Sequence, residues 1–132
     1  MPTLFSRIVA GEIPAYKVAE TDRYLAFLDI RPMKKGHTLV IPKQETDYLF
    51  DLEDDLLGGL VVFAKQVAKG LEAIIPCERI GVAVVGLEVP HAHVHLIPID
   101  SVGDLSFSNP PVELSPEEFE TLSASIREAI PS

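Results

Sequence analysis

The sequence predicts an α+β fold, a largely antiparallel sheet of about five strands packed on one long helix, with short helices near both ends. Three observations carry this. Short runs rich in Val, Ile and Leu, bounded by Pro, Gly and Asp, recur between residues 16 and 99 and read as strands. The stretch leading to Ile74 repeats apolar residues at three- and four-residue steps. Capping signals open a helix at each end.

In order along the chain, Thr3 is an N-cap for a short helix reaching Val9, which Gly11 ends and Pro14 follows. Tyr16 to Ala19 and Tyr24 to Asp29 read as two strands joined by a turn at Thr21-Asp22. Pro32 to Gly36 is a loop, His37 to Ile41 a third strand stopped by Pro42, and Glu45 to Phe50 one helical turn. Asp51 to Asp54 supply N-cap candidates and an acidic first turn for the long helix, whose stripe is Leu56, Leu60, Phe63, Val67, Leu71 and Ile74. Gly58-Gly59 weakens that helix by roughly 1 kcal/mol per glycine, which suggests close approach of a neighbour. Pro76 and Cys77 lead into a fourth strand, Ile80 to Val85, and Gly86 links it to a fifth, Pro90 to Ile99. Asp100 to Pro111 is a loop. Ser115-Pro116-Glu117-Glu118 then opens a C-terminal helix with capping-box spacing and proline at its first position.

At 132 residues the chain suits one domain, 1–132, with one core. Its 47% hydrophobic and 23% charged residues are an ordinary globular balance. The longest apolar runs, Leu60 to Ala64 and Ile80 to Val85, are too short to span a bilayer, and the first residues have no basic and apolar signal-peptide pattern. One cysteine, Cys77, excludes an internal disulfide and a Cys-pair zinc site and reads as a small buried hydrophobe. A cytoplasmic location is expected. The net charge of −9 argues against nucleic acid and anionic membranes as partners. A small anionic ligand remains compatible, and Lys34, Lys35 and Lys43 are the local basic concentration.

Three of the 4 histidines alternate in one run, Pro90-His91-Ala92-His93-Val94-His95-Leu96-Ile97. On a strand they share a face, with rings roughly 6.5 Å apart. Three imidazoles in register each need their own hydrogen-bond partners, which disfavours a purely structural reading. A metal site is a second reading, with His93 beside either neighbour and His37 as third ligand. No carboxylate lies at a spacing that obviously completes it. Nucleophilic catalysis at phosphorus is the third: a neutral imidazole attacks, and its neighbours handle protons and phosphoryl oxygens. The pattern by itself leaves the last two open.

His91-Ala92-His93-Val94-His95-Leu96-Ile97 resembles the signature of the histidine-triad (HIT) family of nucleotide hydrolases and transferases. Leu4 to Ala15, Ala26 to Pro32 and Gly36 to Lys43 resemble its Hint-like branch in order and spacing, so the similarity covers residues 3–99. The resemblance implies a HIT-like fold, no cofactor, and a purine nucleotide or nucleotide conjugate as ligand. It makes His93 the nucleophile at the α-phosphorus and places His95 near the phosphate and departing group. His91, with His37, would hold the constellation in place. Phe5, Ile8, Phe27 and Ile30 would form the base slot with Val89 beside it, and Asp29 would accept from the ribose hydroxyls. It further implies a homodimer, joined through Leu60 to Leu71 and Ile80 to Val85.

The chain departs from the family before the triad. Where a hydroxyl residue is usual it has Glu88, preceded by Leu87, and Ile80 stands at a usually polar position. A carboxylate there repels phosphate. The expected activity is cleavage of a nucleoside 5′-phosphoramidate or related nucleotidyl bond, by hydrolysis or nucleotidyl transfer. The alternatives are a nucleotide-binding regulatory module and a zinc protein. Residues 100–132 match no common family pattern.

Overall fold

Side chains alternate across a strand, and this chain uses that alternation to cover both faces of one sheet. The structure, a computed structural model, describes residues 2–131. Its elements are α1 (Leu4–Val9), β1 (Lys17–Glu20), β2 (Tyr24–Leu28), β3 (Thr38–Pro42), α2 (Asp54–Ile74), β4 (Arg79–Ala83), β5 (Val94–Ile99) and α3 (Pro116–Ala129). The five strands lie in the order β1-β2-β3-β5-β4, every pair antiparallel. The α+β architecture is the expected one. No helix among the described residues is long and apolar enough to cross a membrane.

One face of the sheet sends Tyr24, Ala26, Leu28, Val40, Val94 and Leu96 into a core closed by Leu60, Phe63 and Val67 of α2 and Phe119 and Ile126 of α3. The other sends Leu25, Phe27, Leu39 and Ile41 against Phe5 and Ile8 of α1. Phe27 pairs with Leu39, and Leu39 with His95, so a single row across three strands carries an imidazole to the α1 face. That row is the floor of the site.

The strand boundaries differ from those read in the sequence. β5 begins at Val94, because the β3 ladder ends at Val40↔Val94 and Pro42 has no N–H to extend it. The Ala92 N–H bonds to the Thr46 carbonyl instead, and the His91 N–H turns back to the Val89 carbonyl at 2.8 Å, so His91 and His93 sit in an irregular lead-in and only His95 is in the strand. His37 likewise precedes β3, its N–H turned to the Lys34 carbonyl. β4 stops at Ala83, opposite His95, leaving Val84 and Val85 beyond the ladder.

Glu53 takes the cap position of α2 without a side-chain bond, and Asp54 and Asp55 supply the acidic first turn. The apolar stripe of α2 faces its own sheet, Leu60, Val67 and Leu71 being fully buried. It is Val61 and Val62, 58% and 59% exposed, that face outward in the segment expected to meet a partner. At α3 the capping box forms as read, with Ser115 and Glu118 bonded reciprocally.

The close approach inferred from Gly58-Gly59 exists at Gly59 alone. A Cβ there would land on the Tyr24 hydroxyl, which itself donates to the Leu56 carbonyl at 2.9 Å, whereas Gly58 faces open space. Gly70 has a similar role against α3, since its Cβ would lie 3.1 Å from the Ile126 carbonyl oxygen. Gly59→Ala and Gly70→Ala are therefore each expected to destabilise the fold by about 1–3 kcal/mol through overpacking, despite better helix propensity. Urea unfolding checks this, and a gain in stability for either would contradict the packing described.

Candidate active site

Three of the four histidines in this site have one ring nitrogen assigned by a main-chain group, the fourth takes its assignment from His37, and the proton positions follow from that. His91 is completely buried. Its Nε2 donates to the Pro42 carbonyl at 2.8 Å, so Nδ1 carries the lone pair and accepts from the Thr3 hydroxyl at 2.9 Å. Nδ1 of His93 donates to the His91 carbonyl at 2.7 Å, which leaves Nε2 as a lone pair. His37 Nδ1 accepts the Met33 N–H at 3.1 Å, so its Nε2–H donates to His95 Nδ1 at 2.9 Å. The remaining nitrogen of His95 must then be an N–H.

Three neutral rings result. Burial pushes His91 down from the ordinary imidazole value, with small opposition from the Pro42 bond and Glu45. Burial also lowers His37, against the pull of Asp29, whose Oδ2 lies 3.7 Å away. His95 is pushed down to about 3, chiefly by burial and then by His37 and His93.

These rings border a cavity of about 660 Å³ on the α1 face. Phe5 and Phe27 meet edge to face at 5.5 Å, and the Phe5 ring stands edge-on to His93 at 5.0 Å. Phe5, Ile8 and Phe27 are buried while still lining the cavity. Ile30 lines it too, but at 70% exposure it stands at the mouth rather than in an enclosed slot. Val89 packs against the same cluster. Asp29 Oδ1 accepts the Arg31 N–H at 2.9 Å, which pins the carboxylate at the rim. His93, His95 and His37 reach the cavity, whereas His91 lies behind it. Ile80 belongs to the helix-side core and is remote from this wall, but Leu87 and Glu88 border the cavity. A second concavity of about 520 Å³, between β1 and α3, holds no histidine.

Sequence reasoning missed two parts of the site. Residues after β5 fold back over it, and Phe107 sets its ring edge-on to His95 at 4.8 Å, with Asn109 and Pro111 beside it. That segment is tied down by Val112 N–H to the Pro32 carbonyl at 2.7 Å and by Lys34 to Asp104 at 3.2 Å. The lone aromatic of the loop from Asp100 to Pro111 was the available signal. The other missed part is Thr3, Ser6 and Glu45, behind His91.

For a metal, Asp29, His37 and His95 offer one ligand atom each within 4.8 Å of one another, the sole such group among the described residues. An ion there would have to replace the His37–His95 hydrogen bond, and His37 Nδ1 is already taken by Met33. The donor set is committed to hydrogen bonding and does not fit a metal as it stands.

Neutral burial has a consequence for stability. Histidines of the unfolded chain protonate near about pH 6.5, while His37, His91 and His95 resist protonation when folded. The unfolded state therefore binds more protons below that pH, and the stabilisation present above it declines as the pH falls toward the folded values. Denaturation midpoints are expected to fall between pH 7 and 5, before carboxylates titrate. Equal midpoints at those two pH values would contradict neutral burial.

The chain matches the HIT domain profile over residues 10–102. It is 37% identical to the adenosine 5′-monophosphoramidase hnt1 of Schizosaccharomyces pombe over 133 residues, covering 98% of this chain and 99% of that protein. A histidine triad nucleotide-binding protein from Sulfolobus tokodaii superposes with a TM-score of 0.81 at 31% identity, over 96% of this chain and 90% of that one. A zinc-bound histidine triad protein from Mycobacterium smegmatis gives 0.81 at 29%, over 96% and 91%. With its histidines, its sheet and these similarities in agreement, the chain belongs to the HIT family.

Proposed function

We propose that this protein is a nucleotide hydrolase that cleaves a nucleoside 5′-phosphoramidate or related nucleotidyl bond through a nucleotidyl-histidine intermediate on His93. The observation that carries the reading is the His93 Nδ1 bond to the His91 carbonyl, which leaves the Nε2 lone pair as the attacking group. A purine enters the slot of Phe5, Ile8 and Phe27, with Ile30 at its mouth and Val89 at its side. The ribose hydroxyls donate to Asp29. His93 Nε2 attacks the α-phosphorus and the bond to the leaving group breaks. The leaving nitrogen departs as an amine carrying a proton drawn from solvent, and the water that cleaves the phosphorus–histidine bond and releases the nucleoside monophosphate gives a proton back to solvent. His95, kept neutral and aimed by His37, donates its free N–H to the phosphoryl oxygen or leaving atom. The similarity to a fission-yeast monophosphoramidase supports this reaction class.

An amine leaving group suits the cavity better than a polyphosphate. Arg31 is the sole Lys or Arg among its lining residues, which include the carboxylates Asp29 and Glu88. A second reading, nucleotide binding without turnover, is favoured by Glu88 on that wall.

Intact mass of wild-type and His93→Ala protein, after mixing with adenosine 5′-phosphoramidate in EDTA, separates the readings. Wild type is expected to release AMP through a transient adenylyl adduct, and His93→Ala to lose on the order of 10³-fold or more in turnover. Binding without adduct or turnover in wild type would favour the binding module, and Glu88→Ser would be the variant to restore activity. Loss of turnover in EDTA alone would favour a zinc hydrolase.

We further propose a homodimer. β4 is an edge strand with Val82 62% exposed, and the outward valines of α2 offer apolar surface to a second copy. Val82→Lys combined with Val62→Glu is expected to halve the mass measured by light scattering. A wild-type monomer would contradict this.

A further inference from the structure

The last residue of β3 and those that follow it, Pro42 to Thr46, touch both the histidine segment and α1. The Pro42 carbonyl accepts the His91 Nε2–H at 2.8 Å, and the Thr46 carbonyl accepts the Ala92 N–H at 2.6 Å. Glu45, between them, reaches the other way. Its Oε1 accepts the Thr3 N–H at 2.9 Å and the Ser6 hydroxyl at 2.6 Å. α1 has only 6 residues, too few to hold a helical start unaided, and Glu45 reinforces the Thr3–Ser6 capping box that fixes its first turn.

The protons in this cluster can be assigned one by one. The Pro42 oxygen has none, so His91 carries its proton on Nε2 and presents a lone pair at Nδ1. The group facing that lone pair at 2.9 Å, the Thr3 hydroxyl, must donate. Its oxygen in turn accepts the Ser6 N–H at 2.9 Å, while the Ser6 hydroxyl proton goes to Glu45. The Thr3 N–H is shared between the Ser6 hydroxyl oxygen at 2.7 Å and Glu45 at 2.9 Å, the two hydroxyl protons take the shorter of their available contacts, and no buried side-chain polar atom among the described residues is left without a partner. The Glu45 carboxyl is held below the usual range chiefly by Ser6 and then by the Thr3 N–H, so it stays an acceptor at neutral pH.

His91 does not border the cavity, yet two contacts carry its position to the ring that does. Its carbonyl takes the His93 Nδ1–H at 2.7 Å. Phe5, two residues after Thr3 on α1, stands edge-on to His91 at 5.9 Å and to His93 at 5.0 Å. From this geometry we infer that Thr3, backed by Glu45 and Ser6, is a positioning residue of the triad: its hydroxyl holds His91 in one tautomer and orientation, and through the His91 carbonyl and Phe5 it holds the ring of His93. The kinetic part of this inference rests on His93 being the nucleophile; the tautomer part stands independently of it.

Three substitutions separate capping from proton donation. Thr3→Ser keeps both, Thr3→Asp keeps the cap but has no proton to give, and Thr3→Val loses both. Ring ¹⁵N signals of His91 in the resting protein, the rate of adduct formation from adenosine 5′-phosphoramidate and the Kd for AMP are measured for each. Wild type and Thr3→Ser are expected to show neutral His91 protonated on Nε2. In Thr3→Asp, His91 must supply the proton itself and should appear as an imidazolium. Adduct formation should fall about tenfold or more in Thr3→Asp and Thr3→Val, with AMP affinity within about twofold and Thr3→Ser near wild type. Nδ1-protonated His91 in wild type would overturn the tautomer assignment. Wild-type adduct rates in both Thr3→Asp and Thr3→Val would overturn the positioning role. A wild type that forms no adduct would sink the nucleophile reading alone, and the ¹⁵N signals would still decide whether Thr3 holds His91.

Discussion

The site depends on main-chain groups that each dictate where one imidazole proton resides. A carbonyl can only accept and an amide N–H can only donate, so the Pro42 carbonyl, the His91 carbonyl and the Met33 N–H leave His91, His93 and His37 no choice of tautomer. His95 then takes its own state from His37 at second hand. The outcome is a division of labour among chemically identical side chains. One ring is buried as a support, one presents a lone pair, and one presents an N–H. Any shift in the backbone at these positions would scramble the roles without changing a single residue.

Register is the second constraint. Because β2, β3 and β5 pair without a register shift, Phe27, Leu39 and His95 line up on one face while their sequence neighbours Leu28, Thr38 and Leu96 pair in the adjacent row. The helices α2 and α3 occupy the opposite face, so the site side is left to a short helix, a loop and the returning segment around Phe107. A rigid floor with small, separately anchored walls is a sensible arrangement for a pocket that must admit a nucleotide and release its products.

Electrostatics fits the same picture. A chain with net charge −9 gains nothing from long-range attraction of a phosphate. Local binding must come from hydrogen-bond donors in a partly buried cavity, where such donors act more strongly than in water. Neutral imidazoles provide them without the desolvation cost of buried cations. Glu88 and Asp29 add negative charge to the cavity wall, which disfavours further anionic groups beyond the one phosphate those donors can hold.

Much of this was legible in the residues themselves. Periodicity placed the long helix and the strands, because burying one face of a helix or sheet imposes a repeat that any chain must obey. The alternating histidines marked where the buried imidazoles gather, and the apolar residues that line the cavity beside them were those the resemblance pointed to. Boundaries at His37 and at His91 to His93 were misplaced, since a strand ends where its partner stops offering hydrogen bonds, and Pro42 is a partner's property. The outward face of α2 was also hidden, because a stripe's periodicity does not say which neighbour it meets. The amino-acid sequence alone thus determined which elements form and which rings gather at the cavity. Only the tertiary structure decided where each ring carries its proton, because tautomers are set by backbone groups and by contacts such as Thr3 to His91, 88 residues apart, which leave no local pattern along the chain.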